Sequence, residues 1–403
     1  MILRFINTYE PVNSIYRDLL PYLCNKGLNI EVLISCKQYK PGRIPIWKSI
    51  RNNSITFQTI RGLGNRNPKN TLQKAMNSIA YICGVIAKTI LKKGAYVNVF
   101  LTQPPLFYIY GYLLKIIKNQ RYVCIIMDLY PDVLIANGNL QPRGIITKIL
   151  SKLSKHALEH AEAIIVIGRC QKQLLENKGI EVAKIHTIPN WADETNLRFE
   201  QKLSDSSPES EKMVVMYSGN MGTCHTFDEM IAAAEKLKTQ PNIRFMLIGE
   251  GVRKGEIKKS IDLFGLNNCQ LMSYVPEEEL TQSLMSADVH LITLEKGFDG
   301  LVVPSKAYNI MALGKPIIYV GSNNGEIARL IQESNCGVVV EPKDNDRMVK
   351  TIMAYLANPE LKELHGHNGK TYYSHHCAMA TELSKYHDVL KSVMREGDNW
   401  NHN

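Results

Sequence analysis

The sequence predicts an α/β protein built from two doubly wound parallel-sheet domains. Three observations lead there. A chain of 403 residues exceeds what one ordinary hydrophobic core organises. Short apolar runs alternate with amphipathic segments throughout, the pattern of strands joined by helical crossovers. The series is interrupted by the polar run QKLSDSSPESEK (201–212) and then starts again. The expected divisions are an N-terminal domain over 1–190, a linker over 191–212, a second domain over 213–375, and a C-terminal helix with its tail over 376–403.

In the first half, Ile2 to Ile6 reads as a strand, Ile15 to Asn25 as a helix and Leu28 to Ser35 as the next strand. Lys40 to Arg51 is a basic, turn-rich loop, Ile55 to Ile60 a strand, and 62–70 a basic tip. A long helix from Thr71 to Lys92 leads to the strand Val97 to Thr102, which ends in Gln103-Pro104-Pro105. A helix to Lys118, the strand Tyr122 to Met127 and the turn Asp128 to Asp132 follow. The rest of this half is a helix from Ser151 to Ala161, a strand from Ala163 to Ile167, a helix from Cys170 to Lys178, and Ile185 to Pro189 leading to Asn190-Trp191-Ala192-Asp193. In such sheets ligands meet the carboxyl ends of the strands. Pro11, Asn13, Ser14, Gln103 and Asp128 fall at such ends and are candidate binding positions. Asp128 suits proton removal or ligand binding; capping the next helix is the alternative.

In the second half the strand VVMYSG runs into Gly219-Asn220-Met221-Gly222, whose glycines permit close backbone approach. A helix from Phe227 to Lys238, the strand RFMLIG, the turn Gly249-Glu250-Gly251, Arg253-Lys254 and a helix to Phe264 come next. The strand CQLMSYV, a helix from Glu277 to Ala287 and the strand Val289 to Leu294 lead to GLVVPSKAYNIMALGKPIIY (300–319). There Ser305 is the expected N-cap, and Ala307, Ile310 and Met311 keep helical spacing. Gly314 and Pro316 end that helix before the strand Ile317 to Val320. Open amides, a hydroxyl and the Lys306 ammonium in one first turn suit a phosphate or diphosphate. An ordinary capped helix is the competing reading. Gly337 to Glu341 is the last strand, with helices over Asp346 to Ala357 and Ala378 to Arg395.

Charge is distributed unevenly. Residues 1–195 hold 26 Lys and Arg against 11 Asp and Glu, a balance of +15, which leaves −5 for the remainder of a chain whose net charge is +10. A basic first half suits anionic lipid, nucleic acid or a phosphorylated substrate. No recognition-helix, RNP or finger pattern supports nucleic acid. A membrane surface fits better: 75–91 and 106–117 are apolar and flanked by Lys92, Lys93, Lys115 and Lys118. Both are too short or too charged to span a bilayer. They lie either at the interface or as core helices under the sheet. Nine scattered cysteines without a Cys-x-x-Cys pair, and no secretory leader, point to free thiols in the cytoplasm, peripheral at the inner membrane face.

Three patterns are decoys. Gly249-x-Gly251 lacks the third glycine and the acid of a dinucleotide fingerprint. Asp344-Asn345-Asp346 precedes an apolar helix and is read as its cap rather than a metal site. His375-His376 has no third ligand at zinc spacing and reads as a surface pair.

Taken in order, Gln103-Pro104-Pro105, DLYPD (128–132), IPNWAD (188–193), YSGNMG (217–222), LIGEG (247–251), YVP (274–276) and PSK…MALGKP (304–316) resemble glycosyltransferase family 4. More narrowly, they resemble its fucosamine-transferase-like branch of surface-polysaccharide enzymes. The resemblance implies the GT-B fold, two Rossmann-like domains facing a cleft, with the C-terminal helix over 376–403 crossing back to the first domain. It also implies a retaining transferase that needs no metal and no cofactor beyond its nucleotide-sugar donor, expected to be a UDP-sugar. The acceptor would be lipid-linked or a saccharide. Donor contacts would fall on Gly219, Asn220, Gly222, Arg253 or Lys254, Tyr274, Val275, Ser305, Lys306 and Asn309, with Asp128 and Lys306 as catalytic groups. Acceptor contacts would fall on Pro11, Asn13, Ser14, Gln103 and Asp128. The chain departs from the family at Leu301 and Asn309, where two glutamates are usual, and at Met127, where many relatives carry histidine. The competing functions are a UDP-sugar 2-epimerase-like isomerase and a catalytically silent sugar-nucleotide-binding subunit.

Overall fold

The computed structural model describes residues 1–7, 14–35, 54–60, 71–192 and 212–398. The expected loops at 40–51 and 62–70, residues 193–211 of the linker, Pro11 and Asn13 lie outside the described residues. The chain divides into two compact units, Met1–Pro189 with Glu382–Asn403, and Asn190–Thr381.

The first unit is a seven-stranded parallel sheet. Its strands are β1 (Ile2–Asn7), β2 (Ile30–Ser35), β3 (Ile55–Ile60), β4 (Tyr96–Leu101), β5 (Arg121–Ile126), β6 (Ala163–Val166) and β7 (Ile185–Thr187), in the order β3-β2-β1-β4-β5-β6-β7. All residues of β2 and β4 are buried, because both faces of the sheet are covered. The helix Met379–Asp398 closes this unit, with Arg121 Nη1 donating to the Val393 carbonyl at 2.7 Å.

The second unit is a six-stranded parallel sheet. Its strands are β8 (Met213–Ser218), β9 (Ile243–Ile248), β10 (Cys269–Met272), β11 (Val289–Thr293), β12 (Ile317–Val320) and β13 (Gly337–Val340), in the order β10-β9-β8-β11-β12-β13. Val215 pairs with Val289 on one side and Phe245 on the other. Tyr217, Phe245, Leu247, Leu291 and Ile318 form the centre of its core.

Several helices differ from expectation: Asp132–Ala136 and Glu326–Ser334 are additional, and two others need explanation. The helix expected from Ser151 begins at Ile145, because Gly144 is still extended and ends the Pro142 turn just before it. A helix over Pro359–His376 was not expected at all. Pro359 occupies its first position, and the Asn358 side chain accepts from the Leu361 amide at 3.1 Å. Its glycines conceal the helical signal but have a packing role: a Cβ on Gly366 would lie 2.0 Å from the Gly314 carbonyl. Asp344 caps its helix as expected, accepting from the Arg347 amide at 3.0 Å. His375 and His376 are exposed.

Candidate functional site

In the second sheet the chain leaves β8 for β9 and β10 on one side, then returns to β11 on the other. The loops after β8 and β11 therefore diverge, and this switch point is where open parallel sheets bind ligands. Here the two loops are stitched together. The Glu295 amide donates to the Cys224 carbonyl at 2.7 Å, and His225 Nδ1 donates to the Thr293 carbonyl at 2.6 Å. The turn after β9 is drawn in by the Met221 amide on the Glu250 carbonyl (2.8 Å) and the Arg253 amide on the Met221 carbonyl (3.0 Å). This approach requires glycine. A Cβ on Gly249 would lie 1.9 Å from the Gly219 carbonyl oxygen, and Gly249 has φ +155°. The supposed fingerprint glycines thus shape a three-loop floor.

Lys306 is the chemical centre of that floor. Its helix, Lys306–Ala312, is anchored by buried Ala307, Tyr308, Ile310 and Met311. Its Nζ lies 3.6 Å from the centroid of the Tyr217 ring, is buried, and has no hydrogen-bond partner among the described residues. The Tyr217 hydroxyl donates to the Asn220 carbonyl at 2.7 Å, which holds the ring in place. A Cβ on Gly219 would approach Lys306 Nζ to 3.0 Å. Burial pushes the ammonium down to about 7. The ring quadrupole favours the cation but supplies no counter-charge. An anion arriving beside this amine would be strongly held and would restore its proton.

The expected capping role of Ser305 is not observed. Ser305 already has helical φ −63° and ψ −17°, its hydroxyl caps no amide, and it is exposed. An N-cap side chain reaches back only from an extended backbone. The first turn instead closes through Ala307 on the Pro304 carbonyl (3.3 Å) and Tyr308 on the Ser305 carbonyl (3.2 Å).

Of the other expected donor-site residues, Gly219, Asn220, Gly222 and Arg253 come together with Lys306. The Asn220 side chain lies over Gly222. Arg253 Nη1 donates to the His225 carbonyl and lies 3.7 Å from Glu295. Lys254 turns aside, donating to Glu250 at 2.7 Å and Ser273 at 3.1 Å. Tyr274 is exposed, whereas Val275 packs beside Val214, Met216 and Ile248. Asn309 is half-buried, three residues beyond Lys306 on the same helix. Leu301 is buried.

His225 escaped the sequence reading. It is buried, and burial and then the Lys306 charge, with a smaller push from Arg253, bring its ring down to about 3. A carbonyl can only accept, so Nδ1 carries the proton and the neutral ring presents bare Nε2. Its partner lies 68 positions away, so no local pattern signals it. Asp299 was also missed: burial raises its carboxyl, and Oδ1 has no partner among the described residues.

The first unit has its own switch point, between β1 and β4. Thr102 Oγ1 accepts from the amides of Met127 (3.3 Å) and Asp128 (3.4 Å), joining the ends of β4 and β5. Exposed Gln103 and half-buried Asp128 thus stand on adjacent strand tips. Burial raises the Asp128 carboxyl to about 6. The next helix, Asp132–Ala136, follows Pro131, so Asp128 does not cap it. Ser14 is the first residue of the helix Ser14–Asn25. Ligand atoms of His156, Glu159 and His160 lie within 4.8 Å of one another, a grouping of metal-ligand types that the sequence reading did not find. His156 Nε2 is already hydrogen-bonded to the Tyr112 hydroxyl at 2.8 Å.

Residues 199–372 match the family described as glycosyl transferases group 1. The chain is 30% identical over 256 residues to WbjE of Pseudomonas aeruginosa, named as a glycosyltransferase, covering 62% of this chain and 64% of that one. It is 26% identical over 262 residues to WcaI of Escherichia coli K12, named for colanic acid biosynthesis, covering 62% and 63%. The chain thus spans less than two thirds of the length of these relatives. Anabaena HepE, solved with UDP, superposes with a TM-score of 0.68 at 12% identity, covering 97% of this chain and 100% of that one. That likeness shows the fold. Residues 199–372 of the chain thus resemble the group 1 glycosyl transferases, and its two Rossmann-like units have the GT-B type of fold.

Proposed function

We propose that this protein is a glycosyltransferase that moves a sugar from a nucleotide-sugar donor, a UDP-sugar, to a lipid-linked or saccharide acceptor in surface polysaccharide or glycolipid assembly. The observation that carries this reading is the buried Lys306 ammonium, without a hydrogen-bond partner among the described residues, beside Gly219 at the switch point of the family-matched unit. The donor class draws on HepE, which was solved with UDP, and the acceptor class on WcaI, named for colanic acid biosynthesis.

In this mechanism Lys306 and the amides around Ser305 and Gly219–Gly222 hold the diphosphate, and Arg253 adds positive charge from its place on the His225 carbonyl. Asn309 takes a ribose hydroxyl, and the backbone at Tyr274 and Val275 faces the base. As the sugar–phosphate bond breaks, charge grows on the leaving diphosphate, and preformed cationic and amide groups stabilise it where a metal otherwise would. The acceptor hydroxyl attacks the anomeric carbon from the leaving-group face as the sugar–phosphate bond breaks. Its proton passes to the departing phosphate oxygen, and configuration is retained. In the first unit Asp128 and Gln103 orient the acceptor. The enzyme works peripherally at an anionic membrane surface.

The test is a panel of nucleotide-sugars read by nucleotide release, with membrane extract as the acceptor source and product stereochemistry read by NMR. UDP release that requires acceptor and is lost in Lys306→Ala supports the reading. Interconversion of the free donor without transfer, or full turnover by Lys306→Ala, overturns it.

A further inference from the structure

We infer that the first unit carries a lipid-docking face formed by three neighbouring helices, Thr71–Leu91, Tyr108–Lys118 and Ile145–Glu159, whose partner is an anionic bilayer surface. This rests on the membrane association proposed above, and not on the transfer chemistry.

Topology puts the three helices on one side of the sheet. The connections β3 to β4, β4 to β5 and β5 to β6 all run in the same direction across the strand order, and right-handed crossovers in one direction share a face. The helix Ser14–Asn25 joins β1 to β2 in the opposite direction and belongs to the other face. Contacts confirm the adjacency. The Tyr110 hydroxyl meets Thr89 Oγ1 at 2.7 Å, and the Tyr108 hydroxyl meets Ser154 Oγ at 2.8 Å.

The outward residues are the reverse of a soluble helix surface. In Ile145–Glu159, Thr147 and Ser154 are buried, while Ile145, Ile146, Ile149 and Leu153 are exposed, Ile145 by 77%. In Tyr108–Lys118, Leu113, Ile116 and Ile117 are exposed at helical spacing, Ile117 by 67%. In Thr71–Leu91, Asn77 and Thr89 are buried, while Met76, Ile79 and Ile90 are exposed. The two stretches weighed in the sequence as interface or core are therefore both: one side packs on the sheet and the other faces outward. The third helix gave no such signal.

Charge selects the occupant. The three helices hold seven lysines and one acid, Glu159; Lys115 is tied to Glu162 and Lys155 lies near Glu159, while Lys148 and Lys152 are exposed next to Ile149 and Leu153. Apolar side chains interleaved with lysines match the acyl boundary and anionic headgroups of a bilayer. A second copy of this cationic face would repel itself. Among the described residues no helix is long and apolar enough to cross a membrane, so this is a surface contact.

The experiment is co-sedimentation of the full chain with phosphatidylcholine vesicles, with and without about one third phosphatidylglycerol. Two variants are compared, Ile146→Ser/Ile149→Ser/Leu153→Ser and Lys148→Glu/Lys152→Glu. Wild type is expected to bind the anionic vesicles at least tenfold better than neutral ones, less so in high salt. Each variant is expected to lose at least tenfold, with unchanged thermal unfolding and unchanged nucleotide release on a water-soluble acceptor. Wild-type binding that both variants retain overturns this face and leaves peripheral association standing. No wild-type binding overturns both, while nucleotide release still judges the transferase reading separately. A wild-type dimer in sedimentation equilibrium that the serine variant splits, without vesicle binding, assigns the face to a second copy and overturns the lipid.

Discussion

The two units bury cations in opposite ways. In the first, fully buried Arg4 donates to Glu31 at 2.5 Å and to Asn98 at 3.3 Å, and stacks on Tyr96 at 3.5 Å. Lys92 and Gln58 also bind Glu31. Burial pushes the Glu31 carboxyl up, but hydrogen bonds from Lys92 and Arg4 outweigh it and hold the carboxyl below its ordinary range. In the second unit the Lys306 ammonium is buried against Tyr217 with no hydrogen-bond partner among the described residues. A buried cation with its anion built in is architecture. One without it stores an unmet demand for negative charge, which a ligand meets.

The comparison breaks first at Arg4. Arg4→Met leaves Glu31 buried and one partner short, and should cost about 3–5 kcal/mol of unfolding free energy in urea. Nucleotide affinity should be unchanged while the protein stays folded. Lys306→Met should do the opposite. Transfer should fall about 10²–10³-fold, the usual effect of removing one transition-state donor. Unliganded stability should rise instead of falling. The sign follows from the lowered amine: in the folded protein it loses its proton near pH 7, far below its unfolded value, so burying the charge costs most below pH 7 and the cost fades as pH climbs toward 10. The melting-temperature gain of Lys306→Met over wild type should therefore be larger at pH 6 than at pH 9. Equal gains at both would show that the amine is not desolvated.

Two smaller effects sharpen the same contrast. Gly249→Ala should cost about 1–3 kcal/mol, because its Cβ meets the Gly219 carbonyl and its φ is left-handed. Nucleotide affinity should drop with it, since the same loops form the floor. Alanine at Gly138, also at positive φ but with nothing within 4 Å, should cost less and leave binding intact. The smallest effect is proton uptake. At pH 8, UDP binding should draw in up to about one proton as Lys306 recharges, seen by calorimetry in buffers of different ionisation heat. Lys306→Met should abolish that uptake.

Much of the fold was legible because its signals are local. Apolar runs of strand length and punctuating glycines gave nearly all the elements of both sheets, and YSGNMG and PSK marked the loops that meet at the second switch point. Pro359–His376 was hidden because Gly366 and Gly369, which pack against Gly314 and Cys336, weaken its helical pattern. Ser305 was misread because its composition fits a cap and only its backbone angles refuse one. His225 and the exposed face of Ile145–Glu159 could not be read locally, since each depends on segments distant in sequence.

By itself the sequence determined the strand–helix alternation, the division into two sheets, the basic first half, and the presence of a lysine at the start of a short helix. Periodicity, charge and turn chemistry act over a few residues, and they survive in one dimension. Only the tertiary structure decided that Lys306 is desolvated against Tyr217 with no hydrogen-bond partner among the described residues, that Arg253 rather than Lys254 joins it, and that three apolar helix faces line one side of a sheet. Desolvation and pairing depend on which distant atoms exclude water from a group, and chain order does not contain that until the sheets have formed.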